Sequence, residues 1–125
     1  MSMRRNVVER RKHNRFRVKD GASVVLRAHF LELGEIIDVS RGGLAFRYVP
    51  SQQPSSGSPQ LVILLGDGSF YLADIPFIII SDFEINQNPF SSLKISRCGV
   101  QFGELTHSQV SEIEYFIQHY ATTQV

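Results

Sequence analysis

The stretch EIIDVSRGGLAFRYV, residues 35–49, decides how the rest of the chain is read. Its first part, EIIDV, is apolar and β-branched, the composition of a short strand. Gly42 and Gly43 punctuate it, and beyond them Leu44, Phe46 and Tyr48 alternate with Ala45, Arg47 and Val49. A period of two belongs to a strand whose two faces meet different surroundings. Pro50 ends the second of these runs.

Working outward, residues 23–30 (SVVLRAHF) read as an earlier strand of the same kind. Residues 51–60 (SQQPSSGSPQ) hold two prolines, a glycine and four serines. With strands on both flanks they form a loop, not a domain boundary. Residues 61–65, the turn Gly66-Asp67-Gly68 and residues 70–75 predict a hairpin, because Asp-Gly readily takes the positive φ of a tight turn. Residues 77–85 continue as strand, 86–92 (NQNPFSS) as loop, and 93–102 as the last long strand, with Gly99 at a bulge. The period then changes. Thr106 and Gln109 have capping-box spacing, and Val110, Ile113, Phe116, Ile117 and Tyr120 share one helical face. The expected architecture is mainly β, six or so antiparallel strands in a barrel or sandwich, with one amphipathic C-terminal helix closing the chain.

The chain has 125 residues, 42% hydrophobic and 20% charged, the composition of one ordinary globular domain. A chain of this length buries roughly two-thirds of its unfolded surface, enough for a core without metals or disulfides. Cys98 is the single cysteine, which excludes an internal disulfide and a CxxC zinc site. The first 17 residues are basic and lack the apolar segment of a signal peptide. The longest apolar runs, residues 61–65 and 76–80, fall far short of the ~20 needed to span a bilayer. A soluble, cytoplasmic protein without membrane insertion is expected.

The net charge is only +1, yet residues 1–20 hold eight Arg or Lys against two acids, a local +6, and the remainder carries −5. Six of those eight cations are arginines (Arg4, Arg5, Arg10, Arg11, Arg15 and Arg17). A guanidinium grips phosphate bidentately and stacks on a base, so a basic arm on an acidic body expects an anionic partner. His13, His29, His107 and His119 show no metal-ligand spacing. Ser40, His29 and Asp38 supply the residue types of a catalytic triad, but no nucleophile elbow or oxyanion motif accompanies them, and no enzyme is expected.

Two segments carry the chemistry: Arg11 and Arg15, four apart in the arm, and Asp38-Val39-Ser40-Arg41-Gly42-Gly43 at the end of a strand. Together they resemble the R-x-x-x-R and D/N-x-S-x-x-G motifs of PilZ domains, in the same order, and Gly99-Val100-Gln101-Phe102 is similar to that family's closing G-V-x-F strand. The resemblance covers residues 9–105. It implies a six-stranded PilZ-like β-barrel that binds the bacterial second messenger cyclic di-GMP, with residues 1–18 as a basic arm and 19–125 as barrel and helix. It also implies the site: Arg10, Arg11, Arg15, Asp38, Ser40 and Gly43, a basic residue at Arg10 being similar to the pattern associated with a stacked pair of ligands.

The chemistry of the residues agrees. Cyclic di-GMP presents two phosphates and two guanines, and arginine donates in parallel to guanine O6 and N7 or stacks on the purine. Asp38 suits guanine N–H donors or the fixing of an arginine. Ser40 offers a hydroxyl and a nearby backbone N–H, and Gly43 lets backbone approach closely. Read locally, Asp38 and Ser40 are equally suited to capping their own turn. The expected activity is that of a non-enzymatic receptor or adaptor, needing no cofactor beyond the ligand and signalling to an effector protein through ordering of its arginine arm. Two alternatives stand beside it: a small barrel binding single-stranded nucleic acid, separable by its steep salt dependence, and a PilZ-like adaptor acting by protein contact alone.

Overall fold

A computed structural model describes residues 13–85, 90 and 92–125. Arg10 and Arg11, and most of the loop expected at 86–92, lie outside the described residues. The strands are β1 (Phe16–Val18), β2 (Ala22–Arg27), β3 (Leu31–Ser40), β4 (Gly43–Tyr48), β5 (Gln60–Leu65), β6 (Tyr71–Leu72), β7 (Phe77–Glu84), β8 (Ser96–Phe102) and β9 (Ala121–Gln124), with helix α1 (His107–Tyr120) between the last two. All pair antiparallel in one sheet of order β6-β5-β2-β3-β4-β8-β7, with β1 joined to β3 and β9 to β1. This is the mainly β, barrel-like fold expected from the alternating pattern, although its hydrogen-bonded path stays open between β6 and β7.

The interior is filled by the inward residues of five strands and by the helix. Val24, Val39, Phe46, Leu61, Ile63 and Cys98 are all essentially sealed from solvent. The thiol of Cys98 titrates high, pushed up to about 12 by burial and then by the neighbouring carboxylates Asp82 and Glu32. Helix α1 begins at Thr106, whose side chain accepts from the Gln109 N–H while the Gln109 side chain accepts from the Thr106 N–H. That reciprocal pair satisfies two of the donors a helix start leaves open. Ile113 and Phe116 are its buried residues, and the Phe116 ring lies 4.9 Å from Phe70, which also meets Tyr120 at 6.1 Å.

The helix does not close the chain, contrary to the expectation from sequence. Ala121–Gln124 return as β9 alongside β1, with Phe16 opposite Gln124 and Arg17 opposite Thr123. The Val125 N–H donates to the Arg15 carbonyl at 2.8 Å. Residues read as the end of a basic arm are thus strapped between β3 and the C-terminus, leaving Arg15 at the point where the chain leaves the sheet.

Two irregularities shape the outer surface of the sheet. Strand β3 gains an extra residue, Ile37, between the Ile36–Phe46 and Asp38–Ala45 pairs, and β7 gains Ile80 between Ile79–Val100 and Ser81–Gly99. The bulge expected at Gly99 therefore lies on its partner strand. A bulge reverses which face the residues beyond it point to. Before Ile37 the inward residues of β3 are Glu32, Gly34 and Ile36; after it Val39 is inward, and Asp38 and Ser40 face out.

Candidate functional site

Behind the bulges, four strands lay a row of residues across the outer surface: Asp38, Ala45, Gly99 and Ser81. The next row is Ser40, Gly43, Gln101 and Ile78. At the centre of the rows Gly43, Ala45 and Gly99 carry one methyl between them, beside the exposed side chain of Gln101 and beneath that of Ser81. The result is an open groove of about 590 Å³, within the size range of small-molecule sites. Arg15 and His13 border it from the segment before β1, Arg41 from the β3–β4 turn, Ile80 and Ser81 from β7, and Arg97 and Gln101 from β8.

The structure thus brings together four residues expected from the two motifs: Arg15, Asp38, Ser40 and Gly43 all line the groove. Arg10 and Arg11 lie outside the described residues. His29 is exposed near the β2–β3 connection and does not line the groove, so Ser40, His29 and Asp38 do not converge on it.

The local roles differ from residue to residue. The Asp38 side chain is 9% exposed and pairs with Arg97, Oδ2 to Nη2 at 3.6 Å, instead of capping its own backbone. The Ser40 hydroxyl is committed to the turn: it accepts from the Gly42 N–H at 3.1 Å and donates to the Gly43 carbonyl at 3.4 Å. A Cβ on Gly43 would lie 2.2 Å from the Val100 carbonyl oxygen. Its bare Cα therefore serves the close approach of β4 and β8, in addition to any approach by a ligand. At the turn tip, the Gly42 carbonyl accepts from the Phe102 N–H at 2.8 Å, and Arg41 pairs with Glu114 of α1 at 3.2 Å. A second groove, of about 600 Å³, shares His13 and Arg41 with the first and runs along α1 past Glu114, Ile117 and Gln118.

Arg97, Arg41, Gln101 and Ser81 are absent from the residues the motifs single out. A signal for Arg97 does exist: alternation along β8 puts Arg97, Gly99 and Gln101 on one face and Cys98, Val100 and Phe102 on the other. Which strand would lie beside β8 was not readable. On the row above the groove, Glu35, Arg47, Arg97 and Phe83 lie side by side. Glu35 accepts from Arg47 Nε at 2.8 Å, leaving Asp38 to Arg97, so each of two adjacent arginines has its own carboxylate.

At the other end of the same strands sits a different polar group. Tyr48 donates to Asp82 Oδ1 at 2.6 Å, and its hydroxyl titrates above the ordinary range because of burial, this hydrogen bond and the Asp82 charge. Glu32 is also raised, chiefly by burial, although the Ser51 N–H at 3.2 Å partly offsets it. Among the described residues no group of three His, Cys, Asp or Glu could hold a metal ion, and no helix is long and apolar enough to cross a membrane.

No curated protein sequence matches the chain. Two solved structures resemble its fold, one described as MrkH, a c-di-GMP-dependent transcription regulatory factor, and the other as the complex of K. pneumonia MrkH with c-di-GMP. The first has a TM-score of 0.57 and the second 0.59; each is 20% identical over 86% of this chain. The chain spans about half the length of each, 49% and 51%. The profile of the PilZ domain matches residues 9–119, from the arginine arm through the groove strands to the end of the helix, and the chain belongs to the PilZ domain family.

Proposed function

We propose that this chain is a non-enzymatic receptor for cyclic di-GMP, held in the groove over β3, β4 and β8. The observation that carries this reading is the meeting of two motifs distant in sequence, Arg15 on one side and Asp38 to Gly43 on the other, along one groove. A flat, doubly anionic ligand needs cations at the rim, a floor that admits a base, and polar atoms in fixed positions. Arg15 and Arg41 supply rim charge, Ala45 and Gly99 the floor, and the Asp38–Arg97 pair the fixed polar atoms. MrkH, similar in fold, is described as bound to c-di-GMP, which supports the same ligand here.

In this reading Arg10 and Arg11 are drawn onto the ligand together with Arg15, and the rearranged arm is the surface an effector protein detects. A ligand shifts such an equilibrium only by contacting the arm in the bound state. Because β1 is already paired with β3 and β9, and β3 with β4, the added amide protection on binding falls on residues N-terminal to Phe16 and on the turn at 41–42.

Calorimetric titration with cyclic di-GMP tests the reading. Saturable binding is expected, and Arg11→Ala or Arg15→Ala should weaken it roughly ten- to a hundredfold, the loss of a charge-assisted contact, with unchanged melting. Absence of binding by the parent chain refutes the receptor reading. Affinity that collapses with salt and extends to single-stranded oligonucleotides would replace it with nucleic-acid binding.

A further inference from the structure

We infer that Arg97 reads the guanine base and sets the preference for guanine over adenine in this groove; the inference rests on the cyclic di-GMP reading above. Three cations border the groove on elements of known pairing, and they are held differently. Arg41 is 65% exposed and leans away to Glu114 on the helix, and Arg15 stands where the chain enters β1. Arg97 is the second residue of β8, a strand hydrogen-bonded on both sides, and its side chain is only 29% exposed. The cations at the rim suit phosphates, which demand charge more than orientation. The one on a strand paired on both sides suits a base edge.

Its orientation is set from below. Asp38, brought to the outer face by the extra residue in β3, holds Arg97 through Nη2, and the neighbouring Arg47 is kept from competing by Glu35. A guanidinium has five N–H donors in a planar fork, and one carboxylate occupies at most two of them. The remaining edge faces the groove, where its neighbours are Ala45, 4% exposed, and Gly99, covered by the Ser81 and Ile80 side chains. A purine entering the groove beside it presents its O6 and N7 side to the fork. Guanine offers two acceptors there; adenine offers N7 and an amino group, which would set donor against donor. Asp38 is in this scheme a positioning residue for Arg97.

The test is the ratio of affinities for cyclic di-GMP and cyclic di-AMP, measured by calorimetry for the parent, Arg97→Gln and Arg97→Lys. The parent should favour cyclic di-GMP. Arg97→Gln should lower that ratio about ten- to a hundredfold, because a glutamine amide matches the adenine edge instead. Arg97→Lys keeps the charge beside Asp38 and still donates to O6 and N7, so it should keep most of the preference at lower affinity, and it serves as the control if the glutamine variant melts early. If the glutamine variant loses affinity for the two dinucleotides equally, Arg97 supplies charge alone and the inference is wrong. It is equally wrong if the parent binds both dinucleotides alike. A parent that binds neither refutes the receptor reading itself, an outcome distinct from a change confined to the variants.

Discussion

The inner and outer faces of the β4–β8 pair are made from alternate residues of the same two strands, yet they are treated in opposite ways. Inward, Leu44, Phe46, Cys98 and Val100 fill the core with essentially no exposed surface. Outward, Gly43, Ala45 and Gly99 keep side-chain volume low along the groove, between the long side chains of Arg97 and Gln101. The inner face is selected for volume and the outer one for its absence. Stability and binding should therefore separate along the alternation, even though adjacent residues serve each.

The largest effect expected is on the inner face. Phe46→Ala removes a fully buried ring and should lower stability by about 3–5 kcal/mol, with the affinity of the remaining folded protein for cyclic di-GMP unchanged. Denaturant unfolding alongside calorimetry checks it, and a matching loss of affinity would mean that the two faces are not independent. Gly43→Ala comes next, because its Cβ would run into the Val100 carbonyl, backbone that cannot turn aside. About 2–3 kcal/mol of destabilisation is expected from such overpacking, together with weakened binding, since the clash spreads β4 from β8.

Ala45→Leu should weigh more on binding than Phe46→Ala does. Ala45 is only 4% exposed, so the added atoms should cost about 1–3 kcal/mol by overpacking, while cyclic di-GMP affinity falls at least about tenfold. Retained affinity would place the ligand elsewhere. The smallest effect concerns Cys98, whose pKa rises from an ordinary 9.0 to about 12 on folding. Folding disfavours the thiolate, so the thiol's contribution to stability is complete below pH 9 and is lost as pH rises toward 12. Between those values the parent should lose stability more steeply than Cys98→Ala. At pH 8 iodoacetamide should label the unfolded chain and spare the native one.

Much of this molecule was legible in its residues. Alternation placed Leu44, Phe46 and Tyr48 on one face, the Asp67-Gly68 turn appears with Gly68 at φ 82°, and the Thr106–Gln109 box starts the helix where its spacing said it would. These are local signals, carried by residues a few positions apart. The two motifs were legible as well, and the chain folds so that Arg15 and the 38–43 segment share one groove.

Other features depended on which strands become neighbours, and no local pattern encodes that. An unbroken period of two would have sent Asp38 inward with Ile36; only the register between β3 and β4 reveals the extra residue at Ile37 that turns it out to Arg97. Arg97 belongs to the site because β8 pairs with β4, 50 residues earlier at the Arg47–Arg97 pair, and Gly43 must be glycine because of the Val100 carbonyl on that same neighbour. Ala121–Gln124 become a strand only because β1 offers them an open edge. Sequence alone determined the faces and the turns, since side-chain alternation and backbone dihedrals are properties of adjacent residues. Tertiary structure decided register, bulge and strand order, since these arise from hydrogen bonds between segments whose separation along the chain the local pattern does not record.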